Sequence, residues 1–308
     1  RAWDKSTKAT PEQIELIRQQ LPHLLKQLEA IPDLRDPKRN DHRLAVLMMW
    51  GIMAFVYQMS TRREANRTMT KPVFLNHLRT LFPELALENA PHMDTVNRVL
   101  ADVEIDKIAA AQAQLIRTLI RKKSFRRYLK TKRYSLAIDG TQKLVHKELL
   151  SEEWLERHVR KDSDDTESQY YVYVLEANLV FPNRMSIPVL TEFLEFTKGD
   201  TSRDKQDCEL RAFYRLIARI KKEFPRLPVM IVADGLYANG PVMAKCRANN
   251  WDFMIVLQDD SLPSVWDEYN GLLKLEPQNC CRRTWGDRRQ VFRWINQIDY
   301  SYGPNGRS

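Results

Sequence analysis

The sequence predicts an α/β fold in which a mixed sheet flanked by helices follows an all-helical N-terminal domain. Up to about residue 130, apolar residues recur at helical spacing. From residue 134 onward, short runs rich in β-branched and aromatic residues alternate with amphipathic stretches. The 308 residues are enough for two domains that each bury a core.

Positive charge is concentrated in the first part of the chain. Residues 1–133 contain 25 Lys and Arg against 14 Asp and Glu, whereas the remaining residues contain 24 against 26. A strongly basic region is typical of a surface that binds a polyanion. We therefore expect residues 1–133 to form a helical, basic domain that binds nucleic acid.

The order of apolar and polar residues predicts a core helix and a pair of shorter helices in this region. The uncharged stretch at residues 44–57, LAVLMMWGIMAFVY, is shorter than the ~18 residues of a membrane span, so we expect a buried core helix and no membrane partner. Asp94 is expected to cap a helix, and a second helix follows at residues 105–123. The pair is compatible with a helix-turn-helix arrangement, but most helical pairs bind nothing.

The region from residue 134 onward is predicted to alternate strands and helices. YSLAI is a strand, YYVYVLEANLVF is a longer strand, and MSIPVLTEFL is its antiparallel partner, in which Pro188 indicates an edge position or a bulge. The helix KQDCELRAFYRLIARIKKEF follows, and then come the buried strand PVMIVAD, the helix GPVMAKCRANN, the buried strand WDFMIVL and a helix at residues 263–273. Buried strands joined by helices predict a parallel portion that is covered on both faces.

Asp139 and Asp234 stand at the predicted C-terminal ends of two buried strands, in the motifs AIDGTQ and VADGLYAN. Such strand ends form the edge of a parallel sheet where ligands bind. Two carboxylates at one edge repel each other unless a divalent cation joins them, and oxygen ligands suit Mg²⁺ or Mn²⁺. The glycine after each acid is expected to allow a sharp turn. The alternative is that each aspartate only forms a turn or caps a helix.

The segment RKKSFRRYLKTKR, residues 121–133, directly precedes the first strand. We expect its basic side chains to contact phosphates, which adds affinity without reading sequence. The alternative is a solvated helix end whose positive charge complements the helix dipole. Further candidates with weaker support are Arg62, Arg63 and Arg67. The basic residues of the segment are Arg121, Lys122, Lys123, Arg126, Arg127, Lys130, Lys132 and Arg133.

AIDGTQ, YYVYVLEANLVFPN, KQDCEL and VMIVADGLYAN, in this order, resemble the catalytic core of bacterial insertion-sequence DDE transposases over about residues 134–300. The resemblance implies an RNase H-like core at residues 134–278 and the start of a β-rich insertion at residues 279–308. It also implies that Asp139 and Asp234 are catalytic acids that hold two Mg²⁺ or Mn²⁺ ions. The third acid of the family is a glutamate on a later helix, reached through the β-rich insertion, and this sequence shows no counterpart to it.

Four other acids of the second part are also considered. Asp207 and Glu209 open the first core helix, where acids also favour the helix dipole. We expect Asp207 to cap that helix, whereas Glu209 is either a structural acid or a supporting metal ligand, because RNase H carries an acid on this helix. Glu192 and Glu195, on the predicted edge strand, are expected to face solvent.

The resemblance implies a DNA transposase that performs metal-dependent strand cleavage and transfer at insertion-sequence ends. Its partners would be double-stranded DNA and transposon ends, bound as a homodimer in the bacterial cytoplasm at the nucleoid. The alternative is a catalytically incomplete, DNA-binding transposase relic or repressor that keeps the fold. A nuclease outside transposition is disfavoured, since exonucleases of this fold usually show D-x-E where this chain has Asp139-Gly140-Thr141.

Overall fold

The chain forms two units, Arg1–Arg127 and Tyr128–Ser308, in a computed structural model. The structure describes residues 15–129, 131–160, 166–195, 208–259 and 261–301. Each unit has its own secondary-structure type, because the first contains helices and the second a mixed sheet with helices. The helical N-terminal region and the mixed α/β second part confirm the fold class at this level.

The N-terminal unit packs around one apolar helix. After helical residues 15–20, its helices are α1 (Leu24–Glu29), α2 (Leu44–Val56), α3 (Arg62–Met69), α4 (Pro72–Leu81), α5 (Met93–Asp102) and α6 (Ile105–Arg121). In α2, Leu47, Trp50 and Met53 are at most 1% exposed. A helix that is apolar on all sides is stable in water only when it is enclosed, so α2 is the predicted core helix. Within the described ranges, no helix is long and apolar enough to cross a membrane.

Side-chain caps fix where α3 and α5 begin. Thr61 Oγ1 accepts a hydrogen bond from the Glu64 amide at 3.1 Å, and Glu64 Oε2 accepts one from the Ser60 amide at 3.0 Å. This reciprocal pattern is a capping box shifted by one residue. The prediction for Asp94 is wrong, because α5 starts at Met93 and the ring Nδ1 of His92 accepts from the Asp94 amide at 3.3 Å.

The second unit is built on a six-stranded sheet in the order β2-β3-β1-β5-β6, with β4 also on β3. Strands β1, β5 and β6 run parallel, whereas β2, β3 and β4 form antiparallel pairs. The strands are β1 (Tyr134–His146), β2 (Leu155–Arg160), β3 (Thr166–Val180), β4 (Ser186–Leu194), β5 (Val229–Ala233) and β6 (Asp252–Ile255). The helices are α7 (Glu209–Glu223), α8 (Gly240–Ala248) and α9 (Pro263–Leu275), and a separate hairpin joins β7 (Cys280–Trp285) to β8 (Arg288–Arg293).

β1 is longer than the sequence predicted. It does not end at Asp139 but continues to His146. The part of β1 that extends past its pairing with β5 stays paired with the antiparallel strand β3, up to His146 opposite Tyr170. Asp139 itself lies opposite Glu176 of β3. The first predicted site residue therefore stands inside a long strand, just beyond the point where the parallel neighbour stops.

Two other strands differ from the prediction. β2 has no predicted counterpart: its sequence LERHVR lacks apolar alternation, and only Leu155 is buried, at 1% exposed. The predicted buried strand WDFMIVL is confined to β6, in which no residue is fully buried and Met254 is 54% exposed, whereas Trp251 just before it is buried and only 3% exposed. The reason is that β6 pairs with β5 alone and forms an edge of the sheet.

The edge strand β4 carries the irregularity that Pro188 predicted. Leu190 pairs with Ala177 and Pro188 pairs with Asn178, so Val189 is an extra residue on β4. A bulge suits proline, which cannot donate to the ladder.

The prediction that Glu192 faces solvent is wrong. Glu192 is 9% exposed, and its Oε1 accepts from Arg215 Nε at 2.6 Å while its Oε2 accepts from Arg219 Nη1 at 2.7 Å. Both arginines belong to α7, which packs on β4. Charge pairing makes the burial of this carboxylate tolerable. Glu195 is exposed, as expected.

We expect Glu192→Ala to destabilise the second unit, because it leaves two arginines facing each other without their shared acid. Since both arginines keep partial contact with water, the loss should be about 1–3 kcal/mol rather than the larger cost of a fully buried pair. Urea unfolding measures it. The matched variant Glu195→Ala should change stability by less than about 0.5 kcal/mol, and an equal loss in both variants would contradict this role of Glu192.

Candidate functional site

The register of the parallel strands brings Asp139 and Asp234 to the same level. Ala137 of β1 lies beside Val232 of β5, so two further residues along each strand lead to Asp139 and Asp234. Asp234 keeps an extended backbone, with φ −85° and ψ −176°, and both aspartates are exposed. Because side chains alternate along a strand, both carboxylates belong to the same face. They form an open acidic edge at the carboxyl end of β5.

Each aspartate uses one carboxylate oxygen locally. Asp139 Oδ1 accepts from the Gly140 amide at 2.9 Å, and Asp234 Oδ1 accepts from the Leu236 amide at 3.1 Å. The second contact caps the short 3-10 helix Gly235–Tyr237, so the capping alternative is realised for Asp234. Neither Oδ2 hydrogen-bonds to another described residue, which leaves one oxygen of each acid available to a ligand.

Glu209, the first residue of α7, is held by two tyrosines. The Tyr173 hydroxyl donates to Oε1 at 2.6 Å, and the Tyr237 hydroxyl donates to Oε2 at 3.2 Å. Tyr237 is 1% exposed, and its ring packs against Phe213 with centroids 4.8 Å apart. Both oxygens of Glu209 are therefore engaged by protein donors, and the carboxylate is fixed rather than open.

The charge of this cluster keeps both phenols protonated. Burial, and next the negative charge of Glu209, raise the pKa of Tyr237 well above its ordinary value; Asp234 adds to the effect. Burial and the hydrogen bond to Glu209 likewise raise the pKa of Tyr173, with a smaller contribution from the charge of Asp139. Both hydroxyls thus act as hydrogen-bond donors at neutral pH.

The glycine after each aspartate makes room for a neighbouring side chain. A Cβ at Gly140 would overlap the Tyr173 hydroxyl and lie 2.7 Å from Cε1 of its ring, and a Cβ at Gly235 would lie 2.8 Å from Cγ of Gln258. Neither glycine has a positive φ. The expected sharp turn is wrong for Gly140, which lies inside β1, whereas the chain does turn at Gly235, where β5 is followed by the 3-10 helix Gly235–Tyr237. At both positions the missing side chain also makes room for a neighbour.

Tyr173 lies over Gly140, so it occupies the face of the sheet opposite to Asp139. Its hydroxyl binds Glu209 there, within reach of the charge of Asp139. Among the described residues, no three His, Cys, Asp or Glu side chains are close enough together to hold a metal ion. The aspartate pair supplies oxygen donors of the right type but only part of a metal site. The assignment of Asp139, Asp234 and Glu209 as metal ligands stays a prediction.

The sequence did not indicate a role for Tyr173 and Tyr237, which were predicted only as parts of a strand and a loop. Tyr173 belongs to a run, YYVYV, whose composition predicts a strand whatever its side chains bind. Tyr237 follows Asp234 by three residues in DGLY, and that proximity to a candidate acid is the one available signal. Asp207, the expected cap of α7, lies outside the described residues.

The predicted phosphate-binding segment is mostly accessible, but two of its basic side chains have protein partners. Arg133 Nε pairs with Asp252 Oδ2 at 2.6 Å and its Nη1 donates to the Asn250 carbonyl at 3.0 Å, so its guanidinium has a structural use. Lys122 Nζ donates to the Gln20 carbonyl at 3.3 Å. Lys130 lies outside the described residues. The exposed basic residues are Arg121, Lys122, Lys123, Arg126, Arg127 and Lys132. Phosphate contact by this segment stays a prediction.

Comparison with known families gives one match. Residues 25–116 match the family model DDE_Tnp_1-associated. It indicates a protein related to DDE-type transposases. The match confirms that the chain is related to DDE-type transposases. It lies in the N-terminal unit, whereas the motifs that carried the resemblance lie in residues 134–300. The matched range covers less than a third of the chain and includes neither Asp139 nor Asp234. No curated protein matches the chain.

We expect Gly140→Ala to destabilise the protein by about 1–3 kcal/mol, because the new methyl group displaces the Tyr173 ring. The cost should shrink in a Tyr173→Ala background, where the ring is absent. It should persist in a Tyr173→Phe background, where the ring remains. Urea unfolding of the variants gives the coupling, and equal costs in all three backgrounds would show that Gly140 does not serve Tyr173.

Proposed function

We propose that this chain is a DDE-type DNA transposase that cuts and joins DNA strands at insertion-sequence ends. The observation that carries the proposal is that Asp139 and Asp234 occupy equivalent positions on two adjacent parallel strands, at one open edge of the sheet. The family match of residues 25–116 supports it independently, because it links the N-terminal unit to the same class of protein.

The sheet order supports an RNase H-like core. The first strand pairs with the antiparallel strand β3, which pairs with β4. On its other side it pairs with the parallel strand β5, which in turn pairs with β6. Leaving out the additional strand β2, Asp139 lies on the first core strand and Asp234 follows the fourth. This is the arrangement of catalytic acids that the resemblance implies.

The chemistry we infer is phosphoryl transfer on DNA. The free Oδ2 of Asp139 and that of Asp234 would hold Mg²⁺ or Mn²⁺, for which carboxylate oxygens are the suitable donors. When bound, two such ions supply Lewis-acid activation of the attacking hydroxyl and stabilise the leaving oxygen. The exposure of the aspartates lets a phosphodiester reach them.

Accessible basic side chains support a DNA partner. In the segment at residues 121–133, Arg121, Lys123, Arg126 and Lys132 have no ion-pair partner among the described residues. The hairpin β7–β8 adds five arginines around one acid, Asp287, and exposes Trp285 by 78%. Those arginines are Arg282, Arg283, Arg288, Arg289 and Arg293. Such surfaces hold phosphates through charge-assisted hydrogen bonds.

From the resemblance we also infer that the chain acts as a homodimer on paired transposon ends, in the bacterial cytoplasm at the nucleoid. A second candidate is a DNA-binding repressor that keeps the fold without catalysis. It is favoured by one observation, since the described residues offer no third acid beside Asp139 and Asp234. Duplex binding without metal-dependent cleavage would select this candidate.

We expect Asp139→Asn and Asp234→Asn each to reduce Mg²⁺-dependent cleavage of duplex DNA at least about a hundredfold, because each removes a charged metal ligand. DNA binding should remain. Gel analysis of cleavage products measures the first effect and fluorescence anisotropy the second. The control Asp267→Asn changes an exposed acid on α9 and should cleave like the parent protein. Full cleavage by either site variant would exclude the metal assignment.

For the basic segment, we expect the double variant Arg126→Ala, Lys132→Ala to bind duplex DNA more weakly and with a flatter salt dependence. The slope of log Kd against log salt should fall by about 2, close to one unit for each lost phosphate contact. The control is Arg247→Ala with Lys274→Ala, which removes the same charge from α8 and α9. An unchanged slope in the first variant would place the segment away from DNA.

A further inference from the structure

Helix α3 of the N-terminal unit presents a basic face that the core does not use. Ala65 is 1% and Met69 0% exposed, so these residues form the inner side of the helix. Arg62, Arg63 and Arg67 are all exposed. Arg63 and Arg67 are four residues apart, which places their side chains one above the other on the same side of a helix.

Hydrogen bonds hold the N-terminal end of α5 against α3, and a groove lies between the two helices. Asn66 Oδ1 accepts from the Met93 amide at 2.8 Å, and Asn66 Nδ2 lies 2.9 Å from His92 Nε2. These contacts hold the two helices in register at their polar ends. The groove is lined by Thr61, Arg62, Arg63, Asn66, Arg67, His92 and Asp94. Thr61 and His92 are the N-cap residues of the two helices, and the three arginines share the backbone of α3, which fixes the spacing of their Cα atoms.

The groove has more positive charge than its own acids neutralise. Glu64, the acid on α3, is occupied by the Ser60 amide and hydroxyl, at 3.0 and 2.6 Å. Arg62 pairs with Asp94 at 3.0 Å, but both side chains are more than half exposed, so this pair is weak and exchangeable. Arg63 and Arg67 form no salt bridge within the described part of the chain, although the charge of Arg67 acts on Glu64 one turn earlier.

We propose that this face of α3 docks on double-stranded DNA, with Arg63 and Arg67 on phosphates and Arg62 exchanging Asp94 for a third. The inference rests on the proposed function and adds a second DNA contact, separate from residues 121–133. A guanidinium group can bind a phosphate through two parallel hydrogen bonds, so exposed arginines suit the phosphates of a DNA backbone. A helix also matches the width of the DNA major groove. The helix lies within the range that matches the transposase-associated family.

The test is fluorescence anisotropy of the full chain with a labelled, mixed-sequence duplex of about 30 base pairs at several KCl concentrations. The double variant Arg63→Ala, Arg67→Ala should raise Kd about tenfold and lower the salt slope by about 2, because two phosphate contacts are lost. The matched control Lys26→Ala with Lys107→Ala removes two exposed lysines of the same unit outside this groove. It should stay within about twofold of the parent protein.

A variant that is expected to strengthen DNA binding distinguishes loss of a DNA contact from damage to the fold. Asp94→Asn removes the groove's negative charge and releases Arg62, so it should tighten duplex binding roughly two- to fivefold. Damage to the fold cannot tighten binding. Circular dichroism should be the same for all variants, since the mutated side chains are exposed.

The outcomes distinguish this inference from the function on which it rests. If the parent protein binds the duplex but the double arginine variant keeps its Kd and salt slope, the α3 face does not contact DNA and the proposed function stands. Weaker binding by Asp94→Asn also overturns the inference. If the parent protein does not bind duplex DNA at all, the proposed function fails together with it.

Discussion

The parallel pairing of β1 with β5 is the contact on which the candidate site depends. Its register is set by apolar side chains, since Leu136 is 1% and Ile231 0% exposed where the two strands meet. A slip of one residue would turn every buried side chain of β5 to the other face and carry Asp234 away from the side of Asp139. The hydrophobic core, and not attraction between the acids, thus holds two like charges at one level.

The acids of this region have two kinds of surroundings. Asp139 and Asp234 stand where water reaches them, and each keeps an oxygen that no described residue uses. Glu209 is satisfied by two phenolic hydroxyls, and Gly140 leaves space for one of their rings. An exposed pair is suited to bind a ligand, whereas a satisfied and fixed carboxylate is suited to organise the structure around it.

What the sequence could predict followed from local patterns. The repeated Asp-Gly after an apolar run marks Asp139 and Asp234, and Pro188 marks the bulge of β4, because each signal is contained in a few adjacent residues. Contacts between distant residues were missed. Glu192 is buried only because Arg215 and Arg219 come from another element, and β1 extends past Asp139 only because β3 returns along it. The steric use of Gly140 depends in the same way on Tyr173, 33 positions later in the chain.

The bulge at Val189 also bears on how copies of this protein meet. A regular edge strand offers a row of unpaired amides and carbonyls to which another molecule can add a strand. On β4, the missing amide hydrogen of Pro188 and the extra residue beside it interrupt that row, and at the other side β6 offers only four residues. Strand addition is thereby disfavoured along β4 and limited along β6. Within this sheet, the strand that keeps a regular edge is β2, six residues long and at the end of the sheet opposite β6. Joining of two sheets edge to edge would therefore have to use that short strand, and other self-association is left to side-chain surfaces.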